Sequence, residues 1–198
     1  MAPGHGPARS GASWSFGGGT RLALIYGHRV GYDVDLFVTD VQYIPYLAPR
    51  INDAAAALIG YDAIEDVTSL KMERDDGDLD VLVAPLLTDP GVESTEILGH
   101  TLMAQTPEEI LAKEMQYRGH RFTHRDCFDL AMLLERDPAR VAAAEAACGD
   151  FQLMLLRQRL ELFLPVLTAE LPDNVNPTPA FTHLITEAAP RIRAWLDT

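Results

Sequence analysis

Cysteine is nearly absent: the 198 residues contain only two, Cys127 and Cys148. Each lies inside an apolar helical pattern, so a disulfide framework is not indicated and two buried free thiols are expected, in keeping with a reducing cytosol. Long apolar runs are missing too. No stretch of about eighteen apolar residues could carry the chain across a bilayer as a helix, so no membrane partner is expected. Basic residues are the third shortage, with 16 Lys and Arg against 29 Asp and Glu for a formal charge of -13. Such a chain cannot be coated in positive surface, because phosphate binding draws on Lys and Arg to displace counterions. Any contact with a polyanion must be local. The opening "MAPGHGPARSGAS" lacks the charged-then-apolar order of a secretory signal. It reads as a flexible leader over residues 1–13 of a cytoplasmic protein.

What is present is a chain of two textures. Residues 14–103 read as a small mixed sheet with helices, and residues 104–198 as almost continuous helix. "WSFGGG" predicts a strand running into a glycine turn, followed by "TRLALIYGHR" at helical spacing. "YDVDLFVTD" alternates as a half-buried strand, with Asp33, Asp35 and Phe37 on one face. "IPYLAPRINDAAAALIG" reads as one helix, and "EDVTSLKMERDD" and "LDVLVAPLL" as an antiparallel pair about Asp76-Gly77. "ESTEILGHTLMA" is a weaker strand candidate. Beyond it, Thr106 and Thr123 are expected to cap helices, the second in a capping box with Asp126. "PARVAAAEAAC", "FQLMLLRQRLELFL" and "FTHLITEAAPRIRAWL" complete the helical half, with "PDNVNPTP" as a loop.

A glycine turn between strand and helix lets backbone N–H groups approach phosphate, and the helix N-terminus adds partial positive charge. Alone, such a turn is more often structural. Asp33 and Asp35 change the balance, because like charges on one strand face repel unless a divalent cation lies between them. Hard carboxylate oxygens suit Mg2+ or Mn2+, which also accompany nucleoside triphosphates. Asp80 is the candidate third carboxylate, with Asp78 as the fallback on the same face. Basic residues gather in two places, at Arg21, His28 and Arg29 and again from Lys113 to Arg125. If these meet they form one positive patch on an acidic body, with Arg29 a candidate nucleotide contact. Arg21 stays open: it could grip the nucleotide or mark a departure in substrate. His120 and His124 have no evident third ligand, and zinc is not expected there.

"GGGTRLALIYGHRVGYDVDLF" resembles the opening motif of the nucleotidyltransferase superfamily, Gly-Gly-Ser/Thr followed by Asp-x-Asp. With "EEILAKEMQYRGHRFTHRDCFDLA" it resembles the AbiEii/AbiGii nucleotidyltransferase toxin family. The two blocks cover about a quarter of the chain. The resemblance implies an α+β fold, with a nucleotidyltransferase-type mixed sheet followed by a C-terminal helical domain. It implies that Gly18, Gly19 and Thr20 hold a triphosphate and that Asp33 and Asp35 ligate metal. Lys113 would contact nucleotide phosphates and Asp126 would be a further site acid, with Arg125 and Asp129 in support. The expected reaction moves a nucleoside monophosphate from a nucleoside triphosphate to an acceptor hydroxyl and releases pyrophosphate. The implied setting is a toxin of toxin–antitoxin or phage-defence systems, acting on RNA such as tRNA and neutralised by a separate antitoxin. Two alternatives remain: transfer to a cationic, aminoglycoside-like small molecule, favoured by the overall acidity, or a non-catalytic binding relative of the fold.

Overall fold

A computed structural model describes residues 14–60 and 62–198; the leader expected over 1–13 lies outside the described residues. The sheet has seven strands in the order β3-β4-β5-β2-β1-β7-β6. Their ranges are β1 Trp14–Gly17, β2 Val34–Val38, β3 Ile64–Asp66, β4 Ser69–Met72, β5 Leu79–Val83, β6 Val92–Ile97 and β7 His100–Gln105. Between and after them run α1 Gly18–Tyr26, α2 Tyr43–Leu47, α3 Asp53–Ile59, α4 Pro107–Arg118, α5 His124–Arg136, α6 Pro138–Ala146, α7 Asp150–Asn174 and α8 Leu184–Leu196.

Strand alternation decides which face of the sheet carries chemistry. Val38 of β2, Val81 of β5 and Leu70 and Met72 of β4 are buried with Ile44 and Ala48, under α2. The opposite face therefore receives Asp35, Phe37, Asp80 and Leu82, because successive side chains point to opposite sides. A slip of one residue would bury the carboxylates under α2, so the apolar set fixes the register. β2 and β5 run parallel with Asp35 opposite Asp80, and β1 pairs antiparallel with β2 so that Gly17 lies opposite Asp35.

The helices build the larger core, which buries Phe122, Phe128, Leu130, Leu133, Leu156 and Leu167 and also takes in Leu22 of α1. The proposed division at residues 103 and 104 falls inside β7, and α1 shares the core of the helical half. The Thr106 hydroxyl accepts from the Glu109 amide, and Thr123 and Asp126 form a reciprocal capping box on α5. Such caps satisfy N–H groups that the helix itself leaves unpaired.

Five local expectations are corrected. The helix read over "IPYLAPRINDAAAALIG" is two, because Ala48 before Pro49 is extended and Asn52 starts α3 with its side chain accepting from Ala54 and Ala55. "EDVTSLKMERDD" folds into the β3-β4 hairpin instead of one strand. "ESTEILGHTLMA" is a second hairpin, turning at Leu98-Gly99, both at positive φ. α1 stops at Tyr26, where Gly27 adopts the left-handed conformation, so His28 and Arg29 lie beyond it. Of the loop "PDNVNPTP", the first three residues end α7. Of the two thiols, Cys127 is buried and Cys148 half-buried, both free.

Candidate active site

The glycine turn and the aspartates meet as their order suggests. α1 begins at Gly18, which has φ of 69°, and a β-carbon there would run into the Asp35 carboxylate. Only glycine combines that backbone with that approach. The first turn of α1 thus abuts Asp35 with no side-chain cap on its N–H groups. Thr20 sits in that turn, packed against Gly31. Asp80 stands opposite Asp35 on β5, and Asp33 lies just before β2. Burial, then the Asp80 and Asp33 carboxylates, push the Asp35 carboxyl up to about 6. Burial likewise raises Asp80, while Lys71 opposes the rise.

The two candidates for a third carboxylate differ in their neighbours. Asp80 faces Asp35 in register, whereas Asp78 is 2.7 Å from Lys71 and its carboxyl is lowered by that hydrogen bond. Asp33 accepts from the Asp78 amide at 3.3 Å and from Arg125 at 3.2 Å. Among the described residues, the one group of three ligand atoms within 4.8 Å of one another is Glu135, His183 and Glu187, on the helical side. The three aspartates stand further apart than that, with Arg125 occupying Asp33.

A cleft of about 350 Å3 opens between the carboxylate face of the sheet and α4. Gly18, Gly19, Asp35, Phe37, Lys113 and Arg118 line it. Lys113 is buried 3.1 Å from Glu109 with its ammonium 4.3 Å above the Phe37 ring, and burial lowers its pKa. Its ammonium has no well-directed hydrogen bond, and neither have the buried Glu114 Oε2 and Gln105 Oε1 in the same lining. Orphaned buried polar atoms are costly, and these three line one cleft.

The remaining candidates stand behind that surface. Arg29 donates to Asp129 twice at 2.6 Å, and His28 is 2.7 Å from the same carboxylate. Burial alone would raise the Asp129 carboxyl; Arg29, then His28, overcome it and hold it low. A β-carbon at Gly19 would meet the Arg29 guanidinium, so this ion pair backs the first turn of α1. Asp126 is engaged twice, by the α5 cap and by Arg118 at 3.1 Å, and does not line the cleft. Its geometry is that of a group positioning Arg118. Arg125 contacts Asp33 at the start of β2 and also lies outside the cleft lining. Arg21 is buried against Glu93 at 2.8 Å and does not line the cleft. His124 pairs with Glu170 at 2.7 Å.

Sequence reading took Arg118 and Arg121 only as part of a basic stretch and missed Lys71, Gln105, Glu114 and Tyr117. Helical period could have found some of them, since Glu114, Tyr117 and Arg118 lie one turn apart on α4, and Arg121 follows in the short 3-10 turn after it. Nothing local marks Lys71 or Gln105. Their place depends on which strands lie side by side.

Two solved structures from Helicobacter pylori share the fold. JHP933 is 17% identical at a TM-score of 0.50, covering 93% of this chain and 82% of that one. A candidate nucleotidyltransferase is also 17% identical at 0.51, covering 93% and 85%. The nucleotidyltransferase toxin MenT4 of Mycobacterium tuberculosis H37Rv is 17% identical at 0.45, covering 87% of this chain and 62% of its own. No curated protein matches the chain. The family model of the nucleotidyl transferase AbiEii toxin, type IV toxin–antitoxin system, matches residues 8–191, and the chain therefore belongs to that family.

Proposed function

We propose that the chain transfers a nucleoside monophosphate from a nucleoside triphosphate to an acceptor hydroxyl on RNA such as tRNA, with Asp33, Asp35 and Asp80 holding Mg2+ or Mn2+. The observation that carries this reading is the registration of Asp35 opposite Asp80, both beside the uncapped first turn of α1. The donor set fits a hard divalent ion: it is all oxygen, and burial, then the Asp80 and Asp33 carboxylates, already raise Asp35. A bound divalent ion would neutralise the carboxylates and stabilise charge on the phosphoryl oxygens.

The chain's own groups do the remaining work by position. The N–H groups of Gly18, Gly19 and Thr20 present a cradle for phosphate at a helix N-terminus. Lys113, Arg118 and Arg121 line the adjoining cleft and supply positive charge where a triphosphate would lie. Arg29, pinned by Asp129, braces the cradle from behind, and Asp126 holds Arg118. In-line displacement needs little covalent chemistry from a protein arranged in this way. Family membership implies a cognate antitoxin.

The test is incubation with Mg2+, each labelled nucleoside triphosphate and total tRNA, or a panel of cationic small molecules, beside an Asp33→Ala/Asp35→Ala control. Label should move to RNA only with the aspartates intact. Equal labelling by the control would sink the metal assignment, and label on the small molecules alone would sink the RNA acceptor.

A further inference from the structure

A second groove, of about 290 Å3, lies at the start of β2 beyond Asp33. Arg29, Tyr32, Arg125, Asp173, Asn174 and Asn176 line it. It joins the carboxylates through Arg125, whose guanidinium spans the 3.2 Å to Asp33, and through Tyr32, the residue before Asp33. Tyr32 is 63% exposed, a large ring left in water next to the proposed reaction centre. Arg125, whose side chain is 56% exposed, is the accessible cation of this lining, while Arg29 beside it is held by Asp129.

Stereochemistry gives the groove a task. In-line displacement requires the attacking hydroxyl and the leaving pyrophosphate on opposite sides of the phosphorus. The glycine cradle and the cleft cations lie on the Asp35 side, which leaves the Asp33 side for the acceptor. An acceptor entering there meets an exposed aromatic face, a guanidinium and side-chain amides. That is the chemistry of a base stacked on tyrosine with its phosphate on arginine. We propose that this groove seats the 3′-terminal nucleotide of the acceptor RNA, with Tyr32 stacking on its base and Arg125 contacting its phosphate. The proposal rests on the nucleotidyltransferase reading of the site, and binding alone tests it.

The experiment titrates a 5′-fluorescent single-stranded RNA oligonucleotide with a free 3′ hydroxyl against wild type, Tyr32→Ala and Tyr32→Phe. Anisotropy reports RNA binding, and calorimetry reports the affinity for each nucleoside triphosphate with Mg2+. Losing one stacked base should weaken RNA binding by about fivefold or more, with Tyr32→Phe restoring it and nucleotide affinity held within about twofold. Equal RNA binding by all three proteins, or none by wild type, would overturn the groove assignment. If RNA binding depends on Tyr32 but no transfer abolished by Asp35→Asn is found with any acceptor, the groove stands and the catalytic reading falls.

Discussion

Asp129→Asn is the sharpest test of how the nucleotide cradle is supported. The carboxylate accepts from Arg29 Nε and Nη2, each at 2.6 Å, and meets His28 at 2.7 Å. The Arg29 side chain is 5% exposed and that of Asp129 1%. An asparagine of the same shape keeps one acceptor and turns an NH2 toward a guanidinium that also donates. Arg29 then remains buried and charged with no counter-ion, and breaking such a pair costs about 3–5 kcal/mol. Relief of the repulsion between Asp129 and Glu114 offsets part of this and puts the expected loss near the lower figure. Against a total stability of about 5–15 kcal/mol the loss is large. At about 2–4 °C per kcal/mol for a chain of this size, it lowers the melting temperature by roughly 6–12 °C. Urea unfolding followed by far-UV circular dichroism measures it directly. The paired substitution Arg29→Met/Asp129→Leu should recover most of the stability, because an apolar pair of similar volume replaces a buried ion pair at little cost. A loss below about 1 kcal/mol for Asp129→Asn, or no recovery in the double variant, would refute the claim that this pair holds the back of α1.

Three further outcomes follow from the same geometry. Gly18→Ala forces a β-carbon into Asp35 at a backbone with φ of 69°, so transfer should fall by at least about a hundredfold and stability by about 1–2 kcal/mol, read by single-turnover assay and thermal melts. Asp35 has a folded pKa of about 6 against an ordinary value of 3.8, so the folded state binds the extra proton and the metal-free protein loses stability as pH rises between the two values. Asp35→Asn should therefore be the more stable protein at pH 7, with the gap closing as pH falls through 6 toward 4, and Mg2+ should stabilise wild type only; a gap independent of pH would remove the explanation. Lys113→Met replaces a buried, weakly bonded ammonium, so it should raise the KM for nucleoside triphosphate about tenfold or more while calorimetry finds the fold intact; an unchanged KM would place Lys113 outside the site.

Much of this molecule is written in local pattern. The alternation of "DVDLFV" predicted a strand with Asp35 and Phe37 on one face, because successive side chains of a regular strand point to opposite sides. The glycine turn announced a helix N-terminus, and Thr106 and Thr123 announced helix starts, because caps and turns depend on neighbours within four residues. The failures lay at short irregular segments. Pro49 breaking a helix and Leu98-Gly99 closing a hairpin are weak signals inside longer apolar runs, and α7 carries Pro172 where a loop was expected.

What tertiary structure alone decided is partnership across distance. Residues 29 and 129 are separated by a hundred positions, yet the Arg29–Asp129 pair supports Gly19. Arg21, left open by the sequence, pairs with Glu93, and Asp126 pairs with Arg118 and the α5 cap. Asp80, already the sequence's candidate, lies opposite Asp35 only because β5 runs beside β2 in register, while Lys71 of β4 holds Asp78. Sequence sets which residues share a face, for that follows from backbone geometry. Which faces meet, and which charges are left free to take a ligand, follows from the packing of a whole chain.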